Sequence, residues 1–141
     1  MKAILLLLIT FVTQGSCQTN QSQAILSVEY TMVSRGFYQQ IIIDKNTLIK
    51  RQKKGSTGEY FNCTDTDWQQ IISAIKSIEL DDFETINPPS QAFQHDGAAM
   101  AQLKLVTSDK TYQTSSFDHG NPPQDIKKLV EVILSVAQNI E

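Results

Sequence analysis

AILSVEYTMVSRGFYQQIIIDKNTLIKRQ, residues 24–52, contains three runs of strand-forming residues separated by two turn sequences. The first run is apolar on one side and more polar on the other, as is typical of a strand that packs on one face. Its apolar side consists of Leu26, Val28, Tyr30 and Met32. Arg35-Gly36 and Asp44-Lys45-Asn46 provide the turns, residues 37–43 are rich in aromatic and β-branched side chains, and residues 47–52 continue the pattern. The segment therefore predicts a three-stranded antiparallel meander.

A helix is predicted after the meander. Residues 53–58 contain two glycines and two lysines and are interpreted as a loop. Thr64 or Asp65 can cap the helix that follows. Apolar residues then recur at spacings of three and four, which predicts one buried stripe: Trp68, Ile71, Ile72, Ile75 and Ile78. The proline-containing segment 87–90 ends this region.

The last third of the chain predicts a hairpin and a second helix. Residues 99–107 and 110–117 are strand-like and are joined at Ser108-Asp109, so facing residues should have numbers that sum to about 217. Asn121 is a candidate N-cap before Pro122. The helix stripe is the most regular in the chain: Ile126, Leu129, Val130, Ile133, Val136, Ala137 and Ile140. We therefore expect an α+β fold, with an antiparallel sheet of about five strands and two helices packed on one face.

The N-terminal residues predict export. Lys2 precedes residues 3–12, which are apolar except for Thr10; this length is typical of a signal peptide and is too short to span about 30 Å of hydrocarbon. Gly15-Ser16-Cys17 resembles the end of a bacterial lipobox, although Gln14 stands where an aliphatic residue is usual. Lipidation of Cys17 is the favoured outcome, and cleavage by an ordinary signal peptidase is the alternative.

This processing divides the chain into a signal peptide at 1–16, a neutral polar tether at 17–23 and one domain at 24–141. A lipid on Cys17 would attach the domain to a membrane. Cys63, the only other cysteine, is then interpreted as a small, half-buried hydrophobic residue. A Cys17–Cys63 disulfide is the alternative, because an exported location is oxidising.

Charge and motifs exclude several classes of function. The net charge is −3 at pH 7, which argues against a nucleic-acid partner. The chain has no G-x-S-x-G, H-E-x-x-H or C-x-x-C motif and no Gly-rich phosphate loop, so no cofactor is predicted. Four basic residues near one strand end are interpreted as a solvated edge that discourages strand pairing: Lys50, Arg51, Lys53 and Lys54.

The two histidines of the chain lie in related motifs, His95-Asp96-Gly97 and Asp118-His119-Gly120. The hairpin register places Ala99 opposite Asp118 and Gly97 opposite Gly120. The two motifs should therefore meet at the open end of the hairpin.

Two interpretations of this meeting point are possible. We favour a structural corner in which Asp96 and Asp118 accept hydrogen bonds from backbone N–H groups, those of the turn into Asn121-Pro122 in the case of Asp118. The alternative is a divalent-metal or acid/base site, because imidazole and carboxylate are common ligands and proton carriers. Strand spacing separates the rings of His95 and His119 by about 10 Å unless the loops curl inward, which argues against the second interpretation. No metal is predicted.

A resemblance to a group of proteins rests on three segments: HDGAAMAQL at 95–103, TYQTSSFDHGNPP at 111–123 and DIKKLVEVIL at 125–134. The chain resembles small uncharacterised exported (lipo)proteins of Bacteroidetes in these segments, with weaker similarity in RGFYQQIII at 35–43 and in the helix that contains Trp68. The resemblance implies a location in the cell envelope. It implies no activity and no functional residues.

These observations predict an interaction or binding module of the cell envelope, lipid-anchored to a bacterial membrane. Its partner would be an unknown protein or small-molecule ligand, and a non-enzymatic role is favoured. The alternative is a metal-dependent or acid/base enzyme that uses His95, Asp96, Asp118 and His119.

Overall fold

The computed structural model describes residues 23–140 of the chain. The predicted signal peptide, Cys17 and most of the tether lie outside the described residues, as does Glu141. The described part is an α+β fold built on one open antiparallel sheet, as predicted. Among residues 23–140, none of the helices combines the length and the apolar character needed to cross a membrane.

Seven strands form the sheet: β1 (Ile25–Ser34), β2 (Phe37–Asp44), β3 (Thr47–Arg51), β4 (Glu59–Asn62), β5 (Met100–Thr107), β6 (Thr111–Gln113) and β7 (Phe117–Asp118). Their order is β4-β3-β2-β1-β5-β6, and β7 also pairs with β5. The meander and the β5–β6 hairpin are therefore confirmed, whereas the expected number of about five strands was too low. β4 has only four residues, too few for a periodic pattern to reveal, and the predicted strand at 110–117 is interrupted at residues 114–116, so that β6 and β7 are separate.

Two α-helices, α1 (Asp65–Ile75) and α2 (Gln124–Asn139), accompany two 3-10 helices, Leu80–Thr85 and Ala92–His95. Thr64 caps α1, because its hydroxyl accepts a hydrogen bond from the Asp67 N–H at 3.1 Å. The expected cap of α2 is wrong. The helix begins three residues after Asn121, whose amide donates to the Ser90 hydroxyl at 2.7 Å instead.

One hydrophobic core lies between the sheet and the two α-helices. On β1 the buried residues are Val28, Tyr30 and Met32, all on the side predicted to be apolar. Leu26, predicted on the same side, is 52% exposed because the pairing of β1 with β5 shifts between Ile25 and Ser27. From α2 the core contains Ile126, Leu129, Val130, Ile133, Val136 and Ala137, as the sequence predicted.

The sheet has two distinguishable ends. At the entry end the chain joins the sheet: Gln23 Oε1 accepts a hydrogen bond from the Tyr112 hydroxyl at 2.6 Å, and the Ser108 N–H donates to the Ala24 carbonyl at 3.0 Å. The far end contains the β1–β2 turn, the loop at 52–58 and the segment that follows β7. The two histidine motifs lie at the far end.

The buried stripe of α2 makes a prediction about stability. Leu129 and Ile133 are fully buried, so truncating either side chain to Ala should lower the free energy of unfolding by about 2–5 kcal/mol in urea melts. Lys128 is exposed on the same helix, and Lys128→Ala should cost less than about 0.5 kcal/mol. Similar losses at the exposed and buried positions would show that the stripe is wrongly assigned.

Candidate functional site

Asp118 is a buried carboxylate at the end of β7. The residue is 3% exposed. Its carboxylate oxygens accept three hydrogen bonds, from the Ser90 hydroxyl at 2.5 Å, the Ala92 N–H at 2.9 Å and the Phe93 N–H at 2.7 Å. The Ser90 hydroxyl above all, together with the two N–H groups, lowers the pKa of this carboxyl against the opposing effect of burial. The carboxylate therefore ties β7 to the start of the 3-10 helix Ala92–His95.

The sequence predicted that Asp118 accepts hydrogen bonds from backbone N–H groups, but the predicted partners were wrong. The donors come from residues 90–93 and not from the turn into Asn121-Pro122. In that turn the Asn121 N–H donates to the backbone carbonyl of Asp118 at 2.9 Å. Residues 90–93 lie more than twenty positions before Asp118, so no local pattern in the sequence indicates this contact.

The other motif lies on the surface of the same corner. His95 ends the 3-10 helix and is exposed. Asp96 follows in the left-handed region at φ 56° and its carboxylate lies 3.1 Å from the Arg35 guanidinium, with both side chains mostly exposed. The Gly97 N–H donates to the Ala92 carbonyl at 2.9 Å, and a Cβ at Gly97 would come within 3.2 Å of the same carbonyl. Asp96 therefore does not accept the backbone hydrogen bonds expected of it.

The predicted hairpin register holds for β6 and fails for β7. Leu105 faces Tyr112, as expected, but Met100 faces Asp118, where Ala99 was predicted. Between the two strands the Thr114 hydroxyl accepts the hydrogen bond of the Leu103 N–H at 3.1 Å. A side-chain oxygen thereby replaces the backbone carbonyl in the ladder, and one extra residue is accommodated before β7.

The one-residue register shift and the hydrogen bonds of Asp118 with residues 90–93 keep the side chains of His95, Asp96, Asp118 and His119 from forming one cluster. Asp118 ends β7 and His119 begins the turn that follows, and the two side chains use different partners. Gly120, at φ 91°, turns the chain away after them and does not face Gly97 as predicted. Within residues 23–140, no three His, Cys, Asp or Glu side chains lie close enough together to hold a metal ion.

His119 contacts the buried Tyr30. Its Nδ1 lies 3.0 Å from the Tyr30 hydroxyl, and the ring centroids are 6.1 Å apart. Burial raises the pKa of the Tyr30 phenol and lowers the pKa of the His119 imidazole. A protonated phenol that is fully buried needs an acceptor, and Nδ1 is its only hydrogen-bond partner among the described residues. Tyr30 therefore donates to Nδ1, and the neutral ring carries its proton on Nε2.

A cleft opens beside this histidine, between the sheet and the last turns of α2. We call it the His119 cleft; it has a volume of about 290 Å³ and is lined by Met32, Gln39, Ile41, Lys50, His119, Leu134, Ala137 and Gln138. Gln39 and Lys50 lie at strand positions whose side chains point to the core side, since they face Met32 and Ile41 in the register. The cleft therefore has polar groups on a side of the sheet that is otherwise apolar.

Lys50 was interpreted from the sequence as part of a solvated edge, and that interpretation is wrong for this residue. Its side chain is half-buried; Nζ donates to the Ile140 carbonyl at 3.3 Å and lies 4.8 Å from the centre of the Phe61 ring. Strand alternation alone indicates two of the residues that line the cleft. Gln39 and Lys50 are polar residues at positions where β2 and β3 otherwise place Ile41, Ile43 and Leu48.

Cys63 is buried, next to α1, and makes no disulfide with another described residue.

No family model, curated protein or solved structure matches this chain. Function must therefore be argued from the His119 cleft and from the N-terminal sequence.

The hydrogen bonds of Asp118 predict a large difference between two similar substitutions. Asp118→Asn keeps the shape of the side chain but removes the negative charge of the carboxylate, which accepts hydrogen bonds from two backbone N–H groups. The Tm should therefore fall by about 5–10 °C. Asp96→Asn removes only an exposed ion pair with Arg35 and should lower the Tm by less than about 2 °C. Thermal melts followed by circular dichroism would measure both. Equal shifts for the two variants would contradict the assignment of Asp118 as the residue that ties the corner together.

His119 also predicts a dependence of stability on pH. Because its pKa is lower in the folded protein than in the unfolded chain, the unfolded chain binds the proton more readily once the pH falls below about 6.5. The free energy of unfolding should therefore decrease on acidification from about pH 7.5 to 5.5, and less so in His119→Gln. Urea melts at several pH values would measure the difference, with His95→Gln as the control that keeps this contribution. Identical pH profiles for the wild type and His119→Gln would contradict the prediction.

Proposed function

We propose that this protein is a binding module of the bacterial cell envelope, attached to a membrane by a lipid on Cys17 and able to bind a small ligand in the His119 cleft. The His119 cleft is the observation that carries the proposal, because three residues with polar side chains, Gln39, Lys50 and His119, line this partly enclosed space. The location is supported by the apolar N-terminal segment, by Gly15-Ser16-Cys17 and by the resemblance to exported (lipo)proteins of Bacteroidetes.

The side chains favour binding over catalysis. A general base must have a free lone pair within reach of a substrate, and the Asp118 carboxylate is buried and accepts three hydrogen bonds from its own chain. The His119 Nδ1 is occupied by Tyr30. The acid/base enzyme considered as an alternative would need these groups to be available together in one pocket.

The position of the cleft fits a membrane-anchored receptor. Five residues separate Cys17 from Gln23, and a fully extended segment of this length spans at most about 20 Å. Gln23 is bonded to Tyr112 at the entry end, so a lipid on Cys17 would keep that end close to the bilayer. Met32 and Gln39 line the cleft within three residues of the far end, which would then face away from the membrane.

The larger groove between α1 and α2 is a weaker candidate. It has a volume of about 580 Å³ and is wide open, and apart from the half-buried Val132 its lining consists of exposed residues where two helices pack together. Asp65 and Lys128 contribute opposite charges, and Val132 is its only aliphatic residue. Such a seam is expected wherever two amphipathic helices meet, so it does not indicate a ligand.

The anchoring part of the proposal can be tested on the native protein. Intact-mass measurement should show a diacylglyceryl group on Cys17, and the protein should be recovered in the membrane fraction, because two or more acyl chains suffice for stable attachment. Cys17→Ser should release it into the soluble fraction. Cys63→Ser is the matched control and should leave the membrane association unchanged. An unmodified N-terminus at or near Cys17 would refute the anchor.

A further inference from the structure

We infer that the His119 cleft binds a small molecule through an oxyanion, a carboxylate or phosphate group, held by the Lys50 ammonium and the Nε2–H of His119. The inference rests on the proposed binding function, and it specifies the chemistry of the ligand. It does not depend on whether Cys17 carries a lipid.

Lys50 supplies a positive charge that the described residues leave uncompensated at close range. The ion pairs within residues 23–140 are Arg35–Asp96 and Lys104–Glu29, so no described carboxylate lies within 4.0 Å of Lys50. Glu59 faces Lys50 on the neighbouring strand β4, but it lies beyond this distance. An ammonium group has three donors, and the Ile140 carbonyl uses one of them.

His119 supplies an N–H donor, Nε2–H, whose orientation is fixed by the contact of the ring with Tyr30. Because the Tyr30 hydroxyl donates to Nδ1, the proton of the neutral imidazole resides on Nε2, on the opposite side of the ring. The same hydrogen bond holds the ring in place against Tyr30. The ligand therefore meets a preorganised N–H donor, and preorganisation reduces the entropy lost on binding.

The lining of the cleft disfavours a cationic ligand. None of its eight residues is Asp or Glu, and its one formal charge is the Lys50 ammonium. The free carbonyls at the end of α2 would attract a cation, but Lys50 already occupies the carbonyl of Ile140. Gln39 and Gln138 have amides that can donate to further ligand oxygens.

The size of the cleft limits the ligand to a small molecule. A volume of about 290 Å³ is just below the roughly 300–1,000 Å³ that is usual for ligand sites. Met32, Ile41, Leu134 and Ala137 form an apolar wall that can contact the non-polar part of the ligand. A short organic acid, a uronic acid or a small phosphate ester meets both requirements.

The two histidines of the chain allow a direct test by nuclear magnetic resonance. Mature protein labelled with ¹⁵N only at histidine gives two imidazole spin systems, with His95 as an internal reference at an exposed position. Sodium acetate, inorganic phosphate and sodium glucuronate are titrated separately, against acetamide as the neutral counterpart of acetate and sodium chloride at equal ionic strength. The spectrum without ligand should show the Nε2–H tautomer of His119.

We expect at least one of the three anions to shift the His119 resonances in a saturable manner, with a dissociation constant on the order of 1 mM or tighter. His95 should not follow the same curve. Lys50→Met, which keeps the apolar stem beside Phe61, should weaken binding by about tenfold or more, whereas Lys53→Met at an exposed position should change it less than about twofold. Lys50→Gln replaces Lys50→Met if the latter fails to fold.

Three results would overturn the inference: no response to any anion beyond that to sodium chloride, an equal response to acetamide and acetate, or unchanged binding in the Lys50 variants. An Nδ1–H tautomer of His119 would overturn the role assigned to Tyr30. These outcomes are independent of the anchor, which is judged from the mass of the N-terminus and the membrane fraction.

Discussion

Strand β1 is paired along its length with β2 on one side and β5 on the other, and this double pairing fixes which side of the sheet is buried. A shift of one residue would turn Val28, Tyr30 and Met32 to the opposite face, so the core tolerates only one register. The same constraint buries the hydroxyl of Tyr30. A buried hydroxyl requires a hydrogen-bond partner, and the sheet supplies His119 at the point where the last strand ends. The candidate site thus originates in the packing of the central strand.

The sequence allowed a correct prediction wherever a long periodic pattern met a clear turn. The meander, the stripe of α2 and the β5–β6 register all follow from local alternation and from the length of the connecting turn. It could not reveal β4, whose four residues form a strand because β3 offers an open edge to pair with. Nor could it reveal the extra residue before β7, which depends on the Thr114 hydroxyl taking a backbone position in the ladder.

The candidate site was predictable only in part, for a similar reason. The hairpin brought the two histidine motifs to one end of the sheet, as the sequence indicated, but their roles depend on contacts with residues distant in sequence. The Asp118 carboxylate accepts hydrogen bonds from residues 90–93, and the His119 ring is oriented by Tyr30, which lies 89 positions earlier. Lys50 was assigned to a solvated edge because its neighbours are basic, although its register with Ile41 places it on the core side. The basic residues around Lys50 suggested that it is exposed, whereas the alternation of side chains along β3 places it on the core side, where the cleft lies.

The way in which the chain enters the sheet also has a mechanical consequence. Residues 23 and 24 lead directly into β1, which lies in the interior of the sheet and not at an edge. A pull on Cys17 would therefore load β1 along its own axis and shear its hydrogen bonds with β2 and β5 together, whereas an edge strand could be peeled away one bond at a time. The Tyr112–Gln23 hydrogen bond and the Ser108–Ala24 backbone bond lie ahead of these ladders and would bear the load first. A domain attached through Cys17, as we propose, would resist extraction from that end.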